Sequence, residues 1–143
     1  MERILSVQDQ VLRAVAPLPA EEAPLAEATG RFLAADASAR FASPPYACSA
    51  MDGYAVRAGE VRKGAALRVV ETLFAGDEAL RPLGAGEAAR IFTGAPLPAG
   101  ADAVVVQEGV RGEGGVAITD HEVRAGDNVR RAGEDLEAGG LAL

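Results

Sequence analysis

The sequence predicts a mainly β protein with short helices, an α+β chain in which a β-rich module is inserted into a smaller module built from both chain ends. Three observations carry this. Between Ala47 and Val123 short apolar, β-branched runs alternate with glycine and proline turn signals. Only 4% of residues are aromatic against a hydrophobic fraction of 49%, so the core has to be built from Ala, Val and Leu. The 17 glycines and 8 prolines suit strands joined by turns better than a helical bundle, yet stay below the roughly 25–30% Pro plus Gly that marks disorder. A chain of 143 residues allows one compact domain or two small units sharing a core.

Taken in order, the chain opens on a helix expected over residues 6–16. Ser6 is placed to cap it, Asp9 lies in its first turn, and Val7, Val11, Leu12 and Val15 form an apolar stripe. Pro17 and Pro19 stop it. A helix this short is marginal alone, so the stripe needs something to dock on. A short helix is expected over Ala28–Ala35 despite Gly30, then extended chain to Phe41, and Ser43-Pro44-Pro45 marks a boundary. Strands are expected at Leu67–Phe74, Ala88–Phe92, Ala103–Gln107 and Val116–Thr119, broken by turns at Gly76-Asp77, Gly84–Gly86, Pro96–Gly100 and Gly112–Gly115. The run Val104-Val105-Val106 reads as a strand buried on both faces. The resulting division is 1–43 with 124–143 as the small module and 44–123 as the β-rich one.

Composition narrows the function classes. A formal net charge of −7 opposes binding to nucleic acid and to anionic membrane surfaces. One cysteine, Cys48, excludes an internal disulfide framework and a cysteine-based zinc site, and one histidine, His121, excludes a histidine-based metal site. No segment approaches the ~20 apolar residues of a membrane span, and the N-terminus lacks a signal pattern. A soluble, cytoplasmic protein is expected.

Three stretches carry candidate chemistry. In Cys48-Ser49-Ala50-Met51-Asp52-Gly53-Tyr54-Ala55-Val56, the Asp-Gly pair is a turn signal, with glycine supplying φ > 0 and Asp52 either capping the turn or standing as a preset acid. In Thr93-Gly94-Ala95-Pro96, a strand end followed by Thr-Gly exposes a hydroxyl and backbone N–H groups that suit an anion, or forms an ordinary loop. It is not a P-loop, since the Gly-Lys-Ser/Thr ending is missing. In Arg130-Arg131-Ala132-Gly133-Glu134-Asp135, two arginines and two acids form a phosphate contact beside a metal-orienting acid, or a solvated ion-pair cluster.

Ser49-Ala50-Met51-Asp52-Gly53-Tyr54-Ala55-Val56 resembles the signature of the molybdopterin molybdotransferases, the MoeA and gephyrin E-domain family. Ile91-Phe92-Thr93-Gly94-Ala95-Pro96-Leu97-Pro98, continuing from Gly100 to Glu108, and Asn128-Val129-Arg130-Arg131-Ala132-Gly133-Glu134-Asp135 resemble the same family in the same order. The resemblance implies an elongated MoeA N-terminal-region-like fold and an enzyme of molybdenum cofactor synthesis. Such enzymes insert molybdate into adenylated molybdopterin with Mg²⁺ and release AMP. It also implies catalytic roles for Asp52, Thr93 and Asp135, with Thr93 donating to an oxyanion, and substrate contacts from Ser49, Met51, Gly94, Arg130 and Glu134. No metal ligand is assigned in this chain. The implied partners are a second copy in a homodimer and the molybdopterin adenylyltransferase. Members are larger multi-domain chains, so this one is expected to be an N-terminal region, inactive alone, whose helix 6–16 docks on the pterin-binding module. The residues themselves leave two alternatives: a non-catalytic binding or dimerisation module, and a small hydrolase built on paired carboxylates.

Overall fold

Alternation decides the architecture. At Ala55-Val56, Ala88-Ala89 and Val104-Val105 both neighbours are fully buried, because each pair sends one side chain to either face of a sheet. In the computed structural model of the chain, which describes residues 2–79, 81–113 and 115–143, these pairs lie on adjacent strands. The elements are α1 (Glu2–Ala14), β1 (Cys48–Ser49), β2 (Gly53–Val56), β3 (Ala66–Leu73), β4 (Glu87–Ile91), β5 (Ala103–Val106), β6 (Val110–Glu113), β7 (Val116–Thr119) and β8 (Val129–Arg130). Short 3₁₀ turns lie at Leu25–Glu27, Ala58–Glu60 and Gln107–Gly109.

Residues 1–36 and 37–143 form two compact units. In the first, α1 starts four residues earlier than Ser6 would have it and ends before Pro17. Nothing between Glu2 and Ser6 breaks a helix, so Ser6 is an interior residue rather than the cap. Arg13 pairs with Asp9 one turn back at 3.0 Å. The apolar stripe Val7, Val11, Leu12 and Val15 is exposed. No helix forms over Ala28–Ala35: the 3₁₀ turn at Leu25–Glu27 is followed by Gly30 at φ +81°, a left-handed conformation that ends helical progression.

The second unit holds a six-stranded sheet in the order β5-β2-β4-β3-β7-β6. Its pairings are antiparallel except β3 with β4, which run parallel with an irregularity between Val69 and Glu71. The expected strands are present within a residue of their bounds. The turn expected at Gly112–Gly115 includes Gly114, which lies outside the described residues. One face of the sheet packs Ala55, Leu73, Ala89, Ile91 and Val104, and the other packs Val56, Val61, Leu67, Ala88, Ala103 and Val105. β5 is an edge strand buried on both faces, and its open edge is covered. Val104 donates its N–H to the Asp127 carbonyl (2.9 Å) and accepts from the Asn128 side-chain amide (2.9 Å). A separate two-stranded ribbon joins β1 to β8, and residues 37–43 pair with the C-terminal stretch through Ser38–Leu141 and Ser43–Leu136 bridges.

Gly53 corrects the turn reading of Asp52-Gly53. It has no positive φ; it is the buried first residue of β2, paired with Ile91 on one side and Val106 on the other. The glycine is required by close approach, since a Cβ at that position would stand 2.1 Å from the Val105 carbonyl oxygen. Gly53→Ala must push β5 away from β2 and is expected to cost about 1–3 kcal/mol or more, measured by chemical denaturation.

At the start of β4, Glu87 is buried beneath two arginines. Its register partner Arg68 bonds one carboxylate oxygen, and Arg81 (2.8 Å) and the Gly84 N–H (2.9 Å) bond the other. The Arg81 hydrogen bond, then the Gly84 N–H, hold its pKa down from 4.5 to about 2. A depressed carboxylate contributes stability above its ordinary value and loses it as pH falls through the folded value. Glu87→Gln is therefore expected to be less stable than wild type at pH 7, with the gap closing between about pH 4.5 and about pH 2 in acid denaturation.

Candidate functional site

The three candidate stretches meet at the backbone of two residues. Ser49 donates its N–H to the Ala95 carbonyl (2.9 Å) and accepts the Gly94 N–H (2.9 Å), which joins the first stretch to the second. Cys48 and Ser49 pair with Arg130 and Val129, and Ala50 donates to the Asn128 carbonyl (2.9 Å), which joins the first to the third. The Ser49 hydroxyl is buried and serves the next turn, donating to the Met51 carbonyl (2.6 Å) and accepting the Met51 N–H (3.3 Å). Ser49 thus shapes the loop from inside, while Met51 stands exposed beside it.

Sheet register brings Asp52 to Thr93. Gly53 pairs with Ile91 across the antiparallel β2–β4 ladder, so the residue before β2 faces the residues after β4. Asp52 Oδ1 accepts both the Thr93 N–H (2.9 Å) and the Thr93 hydroxyl (2.8 Å), and the Asp52 carbonyl accepts the Gln107 N–H (3.0 Å). The Thr93 N–H, then its hydroxyl, with help from the Arg90 charge, hold the Asp52 carboxyl below its ordinary range. Both bonds fall on Oδ1, leaving Oδ2 as the acceptor for whatever approaches the loop.

The donors of Thr93-Gly94-Ala95 that the sequence offers to an anion are engaged within the chain. The Thr93 hydroxyl and N–H both donate to Asp52, the Gly94 N–H goes to Ser49, and the Ala95 N–H goes to the Phe92 carbonyl (2.9 Å). The donors expected to meet an oxyanion are already taken. The loop presents a carboxylate held by Thr93, with Gly94 at φ +82° making the turn.

The third stretch forms its own cluster. Arg130 bonds Asp135 through one terminal nitrogen and lies 3.5 Å from Glu134 through Nε, while the other Glu134 oxygen accepts the Arg131 N–H (3.0 Å). Ser43 donates to the other Asp135 oxygen (3.4 Å). The Arg130 hydrogen bond pulls the Asp135 carboxyl below its ordinary range. Beside this cluster burial pushes the Cys48 thiol up, against the opposing pull of Arg130, so it is a poor nucleophile at neutral pH. Asn128, one of the signature residues, holds φ +56° while its side chain ties the stretch to β5.

Two residues that sequence reasoning passed over stand at the centre of the site. Arg90, on β4, donates to the Gly53 carbonyl (2.8 Å) and to the Gln107 side-chain oxygen (2.7 Å). The signal was present in the sequence: a charge inside the apolar run Ala88-Ala89-Arg90-Ile91 needs partners.

A sheet carrying a Thr-bound aspartate at its β2–β4 ends is tied by a short ribbon to an Arg-Glu-Asp cluster. Residues 4–143 match the family described as MoeA N-terminal region (domain I and II), and the chain belongs to that family. It is 38% identical over 128 residues to the molybdopterin molybdenumtransferase of Haemophilus influenzae, covering 89% of this chain and 32% of the relative. It is 38% identical over 140 residues to molybdopterin molybdenumtransferase 2 of Mycobacterium tuberculosis, covering 94% and 34%. The crystal structure of the molybdopterin biosynthesis moeA protein from Pyrococcus horikoshii OT3 superposes with a TM-score of 0.80 at 38% identity, covering 86% of this chain and 34% of that one. The chain thus spans about a third of the length of the relatives it matches.

Thr93→Val keeps the backbone donor to Asp52 and removes the hydroxyl. The Asp52 titration followed by carboxyl ¹³C NMR is expected to move upward, part of the way to the ordinary carboxylate range. The stability that the depressed carboxylate contributes above that range is expected to fall with it.

Proposed function

We propose that this chain is the N-terminal part of a cytoplasmic transferase that inserts molybdate into adenylated molybdopterin with release of AMP. Asp52, Thr93 and Asp135 carry its share of the site. The single observation that supports this most is the Asp52–Thr93 pair, where the first two signature stretches join at a carboxylate. Asp52 is ionised at neutral pH, so it accepts hydrogen bonds from the N–H groups of a pterin rather than receiving an oxyanion. Thr93 orients it. Met51 and Gly94 border the same loop, and Arg130, Glu134 and Asp135 form a second charged contact for the substrate. In the reaction water would hydrolyse the phosphoanhydride, giving AMP and the phosphate of molybdopterin, and the two dithiolene sulfurs would displace oxygens of molybdate, which leave as water with the thiol protons.

The magnesium ion that the family resemblance implies does not find a ligand set of its own here. Among the described residues no three His, Cys, Asp or Glu side chains gather at one place. Asp52 is a lone carboxylate, and Glu134 and Asp135 are both engaged by Arg130.

The paired-carboxylate hydrolase needs Asp52 and Asp135 to serve one substrate together, whereas each is engaged by partners of its own, Asp52 by Thr93 and Asp135 by Arg130 and Ser43. A docking role is favoured by a separate observation. Leu18, Leu25 and Phe32 are almost wholly exposed, and Pro17, Leu18, Ala28, Phe32 and Leu33 are among the residues lining an open, largely apolar cavity of about 670 Å³. In the complete protein this unit and the α1 stripe would be covered by the pterin-binding module or by the second subunit of a homodimer. The molybdopterin adenylyltransferase is the enzyme that would hand over the substrate. Among the described residues no helix is long and apolar enough to cross a membrane.

Asp52→Ala in the complete protein is expected to lower cofactor synthesis about a hundredfold or more while leaving it folded, measured by reconstitution of a molybdenum-dependent enzyme. Undiminished synthesis would end the claim for Asp52 and leave the docking role.

A further inference from the structure

Asp52 and Thr93 sit on the loose ends of two strands, and one residue touches the chain beside both. Arg90 follows the buried Ala88 and Ala89 on β4 and lies opposite Tyr54 in the β2–β4 register. Through one terminal nitrogen it donates to the carbonyl of Gly53, the residue after Asp52, at 2.8 Å. Through the other it donates at 2.7 Å to the side chain of Gln107, whose own N–H bonds the Asp52 carbonyl at 3.0 Å. Its guanidinium carbon lies 4.5 Å from the ring centre of Phe92, the residue before Thr93, and 5.1 Å from that of Tyr54. Phe92 is stacked in turn on Phe74 from β3, with ring centres 4.7 Å apart and planes 6° apart. A planar fork is needed to do this: two donors on divergent nitrogens and a flat cationic face on the rings.

We propose that Arg90 is a positioning residue, a clamp that holds the Gly53 end of β2, the Phe92 end of β4 and the Gln107 turn in one arrangement, and so sets the Asp52–Thr93 pair. Lysine keeps the charge and most of the stem but can supply neither the two diverging bonds nor the flat stack. Its importance for turnover rests on the reading of Asp52 given above, but the clamp is read directly, without activity.

The test is hydrogen exchange by NMR on the chain with Arg90→Lys. The two amides bonded to Asp52, those of Thr93 and Gln107, are expected to exchange about tenfold faster, the loss of roughly one hydrogen bond's protection. Core amides of Ala55 and Val104 are expected to keep their rates. Gln107→Ala, a change at an exposed side chain, removes one of the two anchors and is expected to loosen Thr93 about threefold. Unchanged Thr93 exchange in both variants would overturn the clamp. So would an equal rise across β2, β4 and β5, which is what a merely structural arginine would produce. If Arg90→Lys does not fold, the Gln107→Ala result decides alone. A clamp that passes this test while Asp52→Ala leaves cofactor synthesis intact would separate the two claims.

Discussion

Everything in the candidate site depends on the backbone of Ser49 and Ala50. Ser49 ends a two-residue strand that is negligible as an element, but its backbone and that of Ala50 tie residues 94–95 on one side and 128–129 on the other. Backbone pairing is the right device for this task. It does not rely on long side chains, whose ordering costs entropy, and it fixes the registers of three distant segments at once. The buried Ser49 hydroxyl completes the arrangement by fixing the Met51 turn that leads to Asp52.

From that knot the sheet carries the geometry outward. β2 lies between β4 and β5 so tightly that Gly53 has no room for a side chain. The close approach sets where β2 begins, and where β2 begins sets Asp52 against Thr93. The small residues Ala55, Ala88, Ala89 and Ala103 serve the same end, since they let the two cores close on the sheet from both sides. Charge is handled within this frame by local pairing. Glu87 is matched by Arg68, Arg81 and the Gly84 N–H, and Asp135 by Arg130, so acids of a chain with net charge −7 are held ionised rather than repelled.

Much of this was legible in the residues. β3, β4, β5 and β7 followed from β-branched runs bounded by turn glycines, and the double burial of β5 from its uninterrupted valines. The signature stretches pointed to the family that the comparisons show. What stayed hidden has physical causes. β1 and β8 are two residues each, too short for any periodicity. β2 was concealed by an Asp-Gly pair whose turn signal is real, but whose glycine answers a steric demand from Val105, far along the chain. Thr93 read as an anion donor because its hydroxyl and neighbouring N–H groups are adjacent in sequence, and nothing in sequence says that Asp52 and Ser49 already accept from them.

The sequence by itself determined the fold class, the strands built on local pattern, the scarcity of cysteine and histidine and the identity of the acids, because these depend on residue type and short-range spacing. Only the tertiary structure decided which groups meet: Asp52 with Thr93 across β2 and β4, Asp135 with Arg130 and Ser43, and Arg90 between Tyr54 and Phe92. Three of them, Asp52 with Thr93, Asp135 with Ser43 and Arg90 with Tyr54, join residues separated by tens of positions. Their geometry follows from strand register and packing, which the whole chain sets together and no single stretch encodes.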